Sequence, residues 1–216
     1  MPYEIIILRP GFYKKTAAGE GYDAACTITL LKGKYSIIVD PGSAWDTKFI
    51  ISEILKHGLK PENINYVVGT HGHSDHIGNL NLFTQATHIV CHDISKDNVY
   101  FQHPFEEGVP YTIDGDVSIE STPGHTSQDV TVFVTSGDSN LGVVAVAGDI
   151  FENEHCLFDD DLWMGQSQFP KLQKKSRNAI LKRADTIVPG HGAMFQVPAS
   201  YKRMEETEYS ISQKTS

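Results

Sequence analysis

The stretch His71-Gly72-His73-Ser74-Asp75-His76 puts three imidazoles and a carboxylate on six consecutive residues. A hydrophobic core has no use for such a density of ligand-type groups. Neutral imidazole and ionised carboxylate are good ligands for zinc and comparable divalent metals, and alternating them along a loop lets neighbouring side chains splay toward two ions. Gly72 reads as the removal of a side chain that would crowd the cluster. A solvated polar turn accounts for any one of these histidines, but not for their spacing.

Working outward, the loop follows the apolar run Tyr66 to Val68, and similar β-branched runs bounded by Gly, Pro and Asp recur along the chain. Glu4 to Leu8, Cys26 to Leu31, Tyr35 to Val39, His88 to Cys91, Val117 to Ser121, Val130 to Val134, Val143 to Ala147 and Thr186 to Val188 all read as strands. Helical periodicity covers Asp46 to His57, with Trp45, Phe49, Ile50, Ile54 and Leu55 on one stripe, and Lys171 to Arg183. Strands mixed with helices in two halves imply an α/β sandwich of sheets covered outside by helices. Residues 1–200 are expected to form one domain and 201–216 a polar tail beginning in a short helix.

Composition narrows the function classes. A hydrophobic content of 40% over 216 residues supports a sizeable core. The start lacks the basic flank and cleavage site of a secretory signal, and no apolar stretch is long enough to cross a bilayer, so no membrane partner is expected and the cytoplasm is the default compartment. Three cysteines, Cys26, Cys91 and Cys156, have no paired spacing, which fits small thiols in a reducing compartment. A net charge of -9 argues against a broad basic footprint for polyanions, so any nucleic-acid contact should be local.

Three further motifs follow strand-like runs: Thr122-Pro123-Gly124-His125-Thr126, Ala147-Gly148-Asp149-Ile150 and Val188-Pro189-Gly190-His191-Gly192. In each, Pro or Gly fixes a tight turn that aims one ligand-type residue. Together with the histidine-rich loop and Val39-Asp40-Pro41-Gly42, in this order, they resemble the metallo-β-lactamase superfamily from about Tyr22 to Phe195. The resemblance implies an α/β fold, a four-layer αβ/βα sandwich with metals at one edge between the two sheets. By position, it implies that His71, His73 and His125 bind one metal and Asp75, His76 and His191 a second, with Asp149 bridging. Asp40 is expected to hold the ligand loop through hydrogen bonds.

Such a site implies two Zn2+ per chain, with iron or manganese left open, and hydrolysis as the reaction class, because paired ions acidify a shared water and polarise the electrophile. Asp75 is the expected catalytic residue, since it can both ligate and orient the nucleophile. Three plus three ligands with a shared carboxylate leave open positions, which favours an enzyme over a regulatory protein that keeps metals for folding. Ligands alone do not name the substrate. Within the superfamily the chain is most similar to a small single-domain member, which implies an endoribonuclease acting at the 3′ end of histone pre-mRNA, in cytoplasm and nucleus, as a homodimer. The alternative is a thioesterase of the glyoxalase II type, another hydrolase of a small ester, or an oxygenase with one iron.

Several segments are weaker candidates. Lys14 and Lys15 are expected in a loop near Gly11-Phe12-Tyr13, and Tyr100, Phe101 and His103 form an aromatic segment; both could touch single-stranded RNA or simply belong to surface and packing. The acidic segment from Glu152 to Phe169, with Phe158, Trp163 and Met164, is expected as a rim over the site, a dimer contact or packing over a helix end. His92 and His155 fit no ligand pattern and read as structural or solvated.

Overall fold

The computed structural model describes residues 2–202. In chain order it contains β1 (Glu4–Arg9), β2 (Phe12–Lys15), β3 (Tyr22–Ala25), β4 (Ile28–Lys32), β5 (Ser36–Val39), α1 (Thr47–Lys56), β6 (Tyr66–Gly69), β7 (Thr87–Val90), β8 (Asp93–Lys96) and β9 (Val99–Phe101). There follow β10 (Tyr111–Thr112), β11 (Val117–Ser121), β12 (Val130–Thr135), β13 (Val143–Gly148), α2 (Asp161–Met164), α3 (Pro170–Arg183), β14 (Thr186–Pro189), β15 (Phe195–Gln196) and α4 (Ala199–Lys202). The C-terminal expectation thus meets a short helix at Ala199, and positions 203–216 lie outside the described residues.

Two mixed sheets form, ordered β1-β4-β5-β6-β7-β8-β9 and β10-β11-β12-β13-β14-β15. Side chains alternate between faces of a strand, and both faces here are buried. Val39, Val68 and Ile89 of the first sheet meet Val132, Val144 and Val188 of the second in the central core. On the outer face Ile38 and Val67 pack against Ile50 and Ile54 of α1. The second sheet mirrors this, with Ala145 and Ile187 against Ile180 and Leu181 of α3. Helix, sheet, sheet, helix is the four-layer αβ/βα sandwich expected.

Strand direction places the polar loops. β5, β6 and β7 pair in parallel, and β13 pairs in parallel with β14. β11 runs the same way as β13, because both are antiparallel to β12. The segments after β5, β6, β11, β13 and β14 therefore leave from carboxyl ends at one edge, where open α/β sheets gather their binding loops.

Several expectations need correction. Lys14 and Lys15 lie on β2, paired with β3 in a two-stranded ribbon, and not in a loop. Trp45 is 91% exposed and Leu55 49%, so neither belongs to the buried stripe. The helix begins only at Thr47, and Trp45 sits in the preceding turn, where the Asp46 side chain takes up Ser43 N and Oγ instead of capping the helix. Of the readings left open for the Glu152 to Phe169 segment, packing holds for Trp163, which is buried: Arg177 lies over its ring at 4.7 Å and Asp160 accepts from its Nε1 at 3.0 Å. Phe158 and Met164 of the same segment remain exposed.

Candidate metal centre

The loop after β6 presents His71, His73, Asp75 and His76; the turns after β11, β13 and β14 present His125, Asp149 and His191. The structure brings all seven together. Donor atoms of His71, His73, His125 and Asp149 form one group and those of Asp75, His76 and His191 another, each within 4.8 Å. In the first, His73 Nδ1 stands 2.9 Å from His71 Nε2 and 3.1 Å from His125 Nε2. Asp149 Oδ2 is 3.5 Å from His71 Nε2 and 3.4 Å from His125 Nε2. In the second, Asp75 Oδ2 is 3.7 Å from His76 Nε2 and 3.6 Å from His191 Nε2. Asp149 spans both: its Oδ1 is 3.3 Å from His76 Nε2 and its Oδ2 3.4 Å from His191 Nε2.

These spacings fit cations. Donors about 2.0–2.1 Å from a tetrahedral ion stand about 3.3 Å from one another. Hydrogen bonding does not explain them, since His73 Nδ1 has one proton or one lone pair to share and two imidazole nitrogens converge on it. His76 Nε2 and Asp149 Oδ1 are buried with no hydrogen-bond partner. The residues therefore fit a divalent metal at each group. His71, His76, His125, Asp149 and His191 are buried, whereas His73 is exposed and Asp75 half-buried, so the centre opens on the His73–Asp75 side.

Outer hydrogen bonds hold the histidines. Asp40 at the end of β5 is buried and accepts from Thr70 N at 2.7 Å, from Thr70 Oγ1 at 2.9 Å and from His76 Nδ1 at 2.9 Å, the role expected of it. Thr70 Oγ1 lies 3.2 Å from His71 Nδ1, and Ala25 O 3.1 Å from His191 Nδ1. Each ring thereby turns Nε2 inward. The His125 turn is tied by Asp129, which accepts from Gly124 N, Thr126 N and Thr126 Oγ1. Gln173 of α3 donates to the carbonyls of Asp149 and Ile150.

Glycine is required at places other than Gly72. A Cβ on Gly72 would meet nothing within 4 Å, contrary to the crowding expected there. At Gly148, φ is +52° and a Cβ would run into Thr70; at Gly190 it would collide with Asp149 Oδ1. Ligand and backbone approach most closely after β13 and β14, not in the histidine-rich loop.

Electrostatics differ from one donor to the next. Burial holds His71 well below the ordinary imidazole range, and neighbouring His76 adds to the effect, which favours the neutral ring that binds metal. Burial also disfavours charge on His76, but Asp149 and Asp40 outweigh it and raise its pKa. Burial opposes charge on Asp149 as well, yet His76 and His71 hold its carboxyl well below the usual range. Glu152, which the sequence did not single out as a ligand, is buried beside the second group. Desolvation and then the charge of Asp149 push it up to about 8.

The other aromatic and histidine candidates divide. Tyr13 stacks on Tyr22 at 4.6 Å across the β2–β3 ribbon, and its ring centre is 6.0 Å from that of His191. Tyr100 and Phe101 are exposed on β9, and His103 after it is half-buried, with its Nε2 against Val109 O. They join neither donor group. His92 stacks on Phe105 and meets Ser121 Oγ, a structural role, and His155 is exposed.

A family model for the metallo-beta-lactamase superfamily matches residues 21–191. The chain belongs to this superfamily, with the fold and the His/Asp cluster of its metal-dependent hydrolases. It is 40% identical over 198 residues to metallo-beta-lactamase domain-containing protein 1 of Xenopus laevis, covering 91% of this chain and 82% of that one. The Homo sapiens protein of the same name is 35% identical, with 91% and 83% covered. Among solved structures, a Thermotoga maritima protein of the metallo-beta-lactamase type superposes with a TM-score of 0.68 at 22% identity, covering 91% of this chain and all of that one. A dizinc quorum-quenching lactonase superposes at 0.56 and 18% identity, with 79% and 74% covered. At these identities the structural likeness concerns the fold. No helix among the described residues is long and apolar enough to cross a membrane.

Proposed function

We propose that the protein hydrolyses phosphodiester bonds of single-stranded RNA at a centre of two zinc ions, with the 3′ end of histone pre-mRNA as the substrate its resemblance implies. One observation carries the two-ion reading: two donor groups share Asp149 and open on the same side, at His73 and Asp75. When bound, the ions would acidify water and polarise the scissile group. His71, His73 and His125 hold the first, Asp75, His76 and His191 the second, and Asp149 lies between. Asp75, half-buried at the mouth, can accept a hydrogen bond from the attacking water and so orient it.

RNA as substrate draws support from the β2–β3 ribbon. The Tyr13–Tyr22 pair is part-exposed beside His191 and offers a ring face on which an unpaired base can stack. Lys15 on the same strand is exposed, whereas the charge of Lys14 is drawn toward Asp23 at 3.3 Å. Homodimerisation and a cytoplasmic and nuclear location belong to the same reading.

The deciding experiment pairs metal quantification with hydrolysis of single-stranded RNA, a thioester and a lactone by the loaded protein. Two zinc ions per chain and RNA cleavage that disappears in His73→Ala and Asp149→Ala are expected. Thioester or lactone turnover without RNA cleavage would transfer the site to the small-ester alternative, and one iron per chain would exclude the two-ion mechanism. Light scattering of the same preparation reads the homodimer.

A further inference from the structure

Glu152 lies three residues after Asp149, in the turn that leads away from β13. It is 3% exposed and its Oε1 has no hydrogen-bond partner, while Oε2 is 4.0 Å from His191 Nε2. A buried, unpartnered carboxyl is costly unless it meets a cation or a donor. It does not act as an outer partner of His191, because that ring's Nδ1 is already engaged by Ala25 O. The carboxyl instead faces the nitrogen that points into the centre. Donor atoms of Asp149, Glu152 and His191 lie within 4.8 Å of one another, a third set that shares Asp149 with the first group and His191 with the second.

We propose that Glu152 is a ligand of the second ion. That position then has Asp75, His76, Glu152, His191 and the shared Asp149, three carboxylates and two imidazoles, against three imidazoles and the shared carboxylate at the first. Carboxylate-rich sets of five or more donors suit manganese and ferrous iron, whereas imidazole-rich tetrahedral sets suit zinc. The second position accordingly accepts Mn2+ alongside a zinc-filled first position. The inference rests on the two-ion reading given above.

The test uses the full chain carrying one equivalent of zinc and titrated with Mn2+. Bound manganese is read by electron paramagnetic resonance and both metals by elemental analysis. Wild type is expected to take one Mn2+ while keeping its zinc, and Glu152→Gln to weaken Mn2+ binding by at least about ten-fold with zinc content unchanged. Manganese affinity within two-fold of wild type in Glu152→Gln would overturn the assignment. If that variant does not fold, the visible spectrum of wild type titrated with Co2+ decides: weak bands of five- or six-coordination at the second equivalent are expected, and intense tetrahedral bands would sink the proposal. Failure of wild type to bind any second ion would instead strike at the two-ion reading itself.

Discussion

Asp40 Oδ2 and His76 Nδ1 lie 2.9 Å apart with both side chains buried, and the same carboxylate accepts from Thr70 N and Oγ1. One residue at the end of β5 thus sets the inward aim of His76 and the start of the loop carrying His71 and His73. Asp40→Ala would strand the Thr70 N–H and free the His76 ring. A stability loss of about 1–3 kcal/mol and metal binding weaker by roughly 10- to 100-fold are expected, measured by chemical unfolding and by competition with a zinc chelator. Asp40→Asn keeps an acceptor and a side chain tolerant of the left-handed backbone here, φ +54°, so it should lose less stability than Asp40→Ala. Equal losses in both variants would refute the division of roles.

Asp149 stands between both donor groups, whereas His73 belongs to one. Removing Asp149 should therefore cost both ions, and removing His73 chiefly the first. Elemental analysis after dialysis is expected to give close to no metal for Asp149→Ala and about half the wild-type content for His73→Ala. Chelation should also lower the unfolding midpoint of wild type, because an ion at one hundred times its dissociation constant stabilises the folded chain by about 2.7 kcal/mol. A midpoint indifferent to chelator would argue that no ion is bound by the folded chain.

Gly190 and Gly72 make a paired test. A side chain at 190 collides with Asp149 Oδ1, and one at 72 enters open space. Gly190→Ala should abolish metal binding and activity, while Gly72→Ala should leave the unfolding midpoint and the metal content near wild type. A Gly72→Ala protein without metal would restore the crowding argument read from the sequence.

That contrast shows where the sequence was legible. Runs such as Ile37 to Val39 and Val143 to Ala147 announce strands because both faces are buried and every position is apolar. The seven donor residues were legible because four crowd one six-residue loop and the other three follow strand-like runs in turns fixed by Pro or Gly. Phe12–Lys15 escaped because all four residues are exposed, so no alternation marks a strand. Val99–Phe101 is exposed in the same way. Asp129 and Glu152 escaped for a different reason. Their importance lies in what the folded turns put beside them, and Thr126-x-x-Asp129 was the one local signal of a side chain folding back on its own turn.

Arg177 on α3 lies buried between two rings, 4.2 Å from the centre of Phe151 and 4.7 Å from Trp163, and donates to the carbonyls of Ile150 and Cys156. It ties the Glu152 to Phe169 segment to the strand end that carries Asp149. Burial lowers its pKa to about 10, so it remains charged at neutral pH. Arg177→Met preserves much of the apolar stem but removes the side-chain donor of the buried Cys156 carbonyl and leaves Ile150 O to Gln173 alone. A loss of about 2–4 kcal/mol is expected, seen as a fall in midpoint of roughly 2–4 °C per kcal/mol for a chain of this size. An unchanged midpoint would mean that the segment is held by something other than Arg177.

Arg9 and Asp46 form a two-pronged ion pair, Nη1 to Oδ1 at 2.5 Å and Nη2 to Oδ2 at 2.9 Å, beside the turn that follows Asp40. Burial would raise the Asp46 carboxyl, but Arg9 and the donors of Ser43 outweigh it and lower its pKa. The sign follows from linkage: a carboxyl whose folded pKa is depressed stabilises the fold above its unfolded pKa, about 3.9, and loses that contribution as pH falls toward the folded value. The difference in unfolding midpoint between wild type and Asp46→Asn should therefore be constant from pH 7 to about 5 and shrink below about 4. Added salt should reduce it only weakly, since the pair is largely shielded from solvent. A difference that grows on acidification would show that Asp46 is not the charged partner of Arg9 in the folded chain.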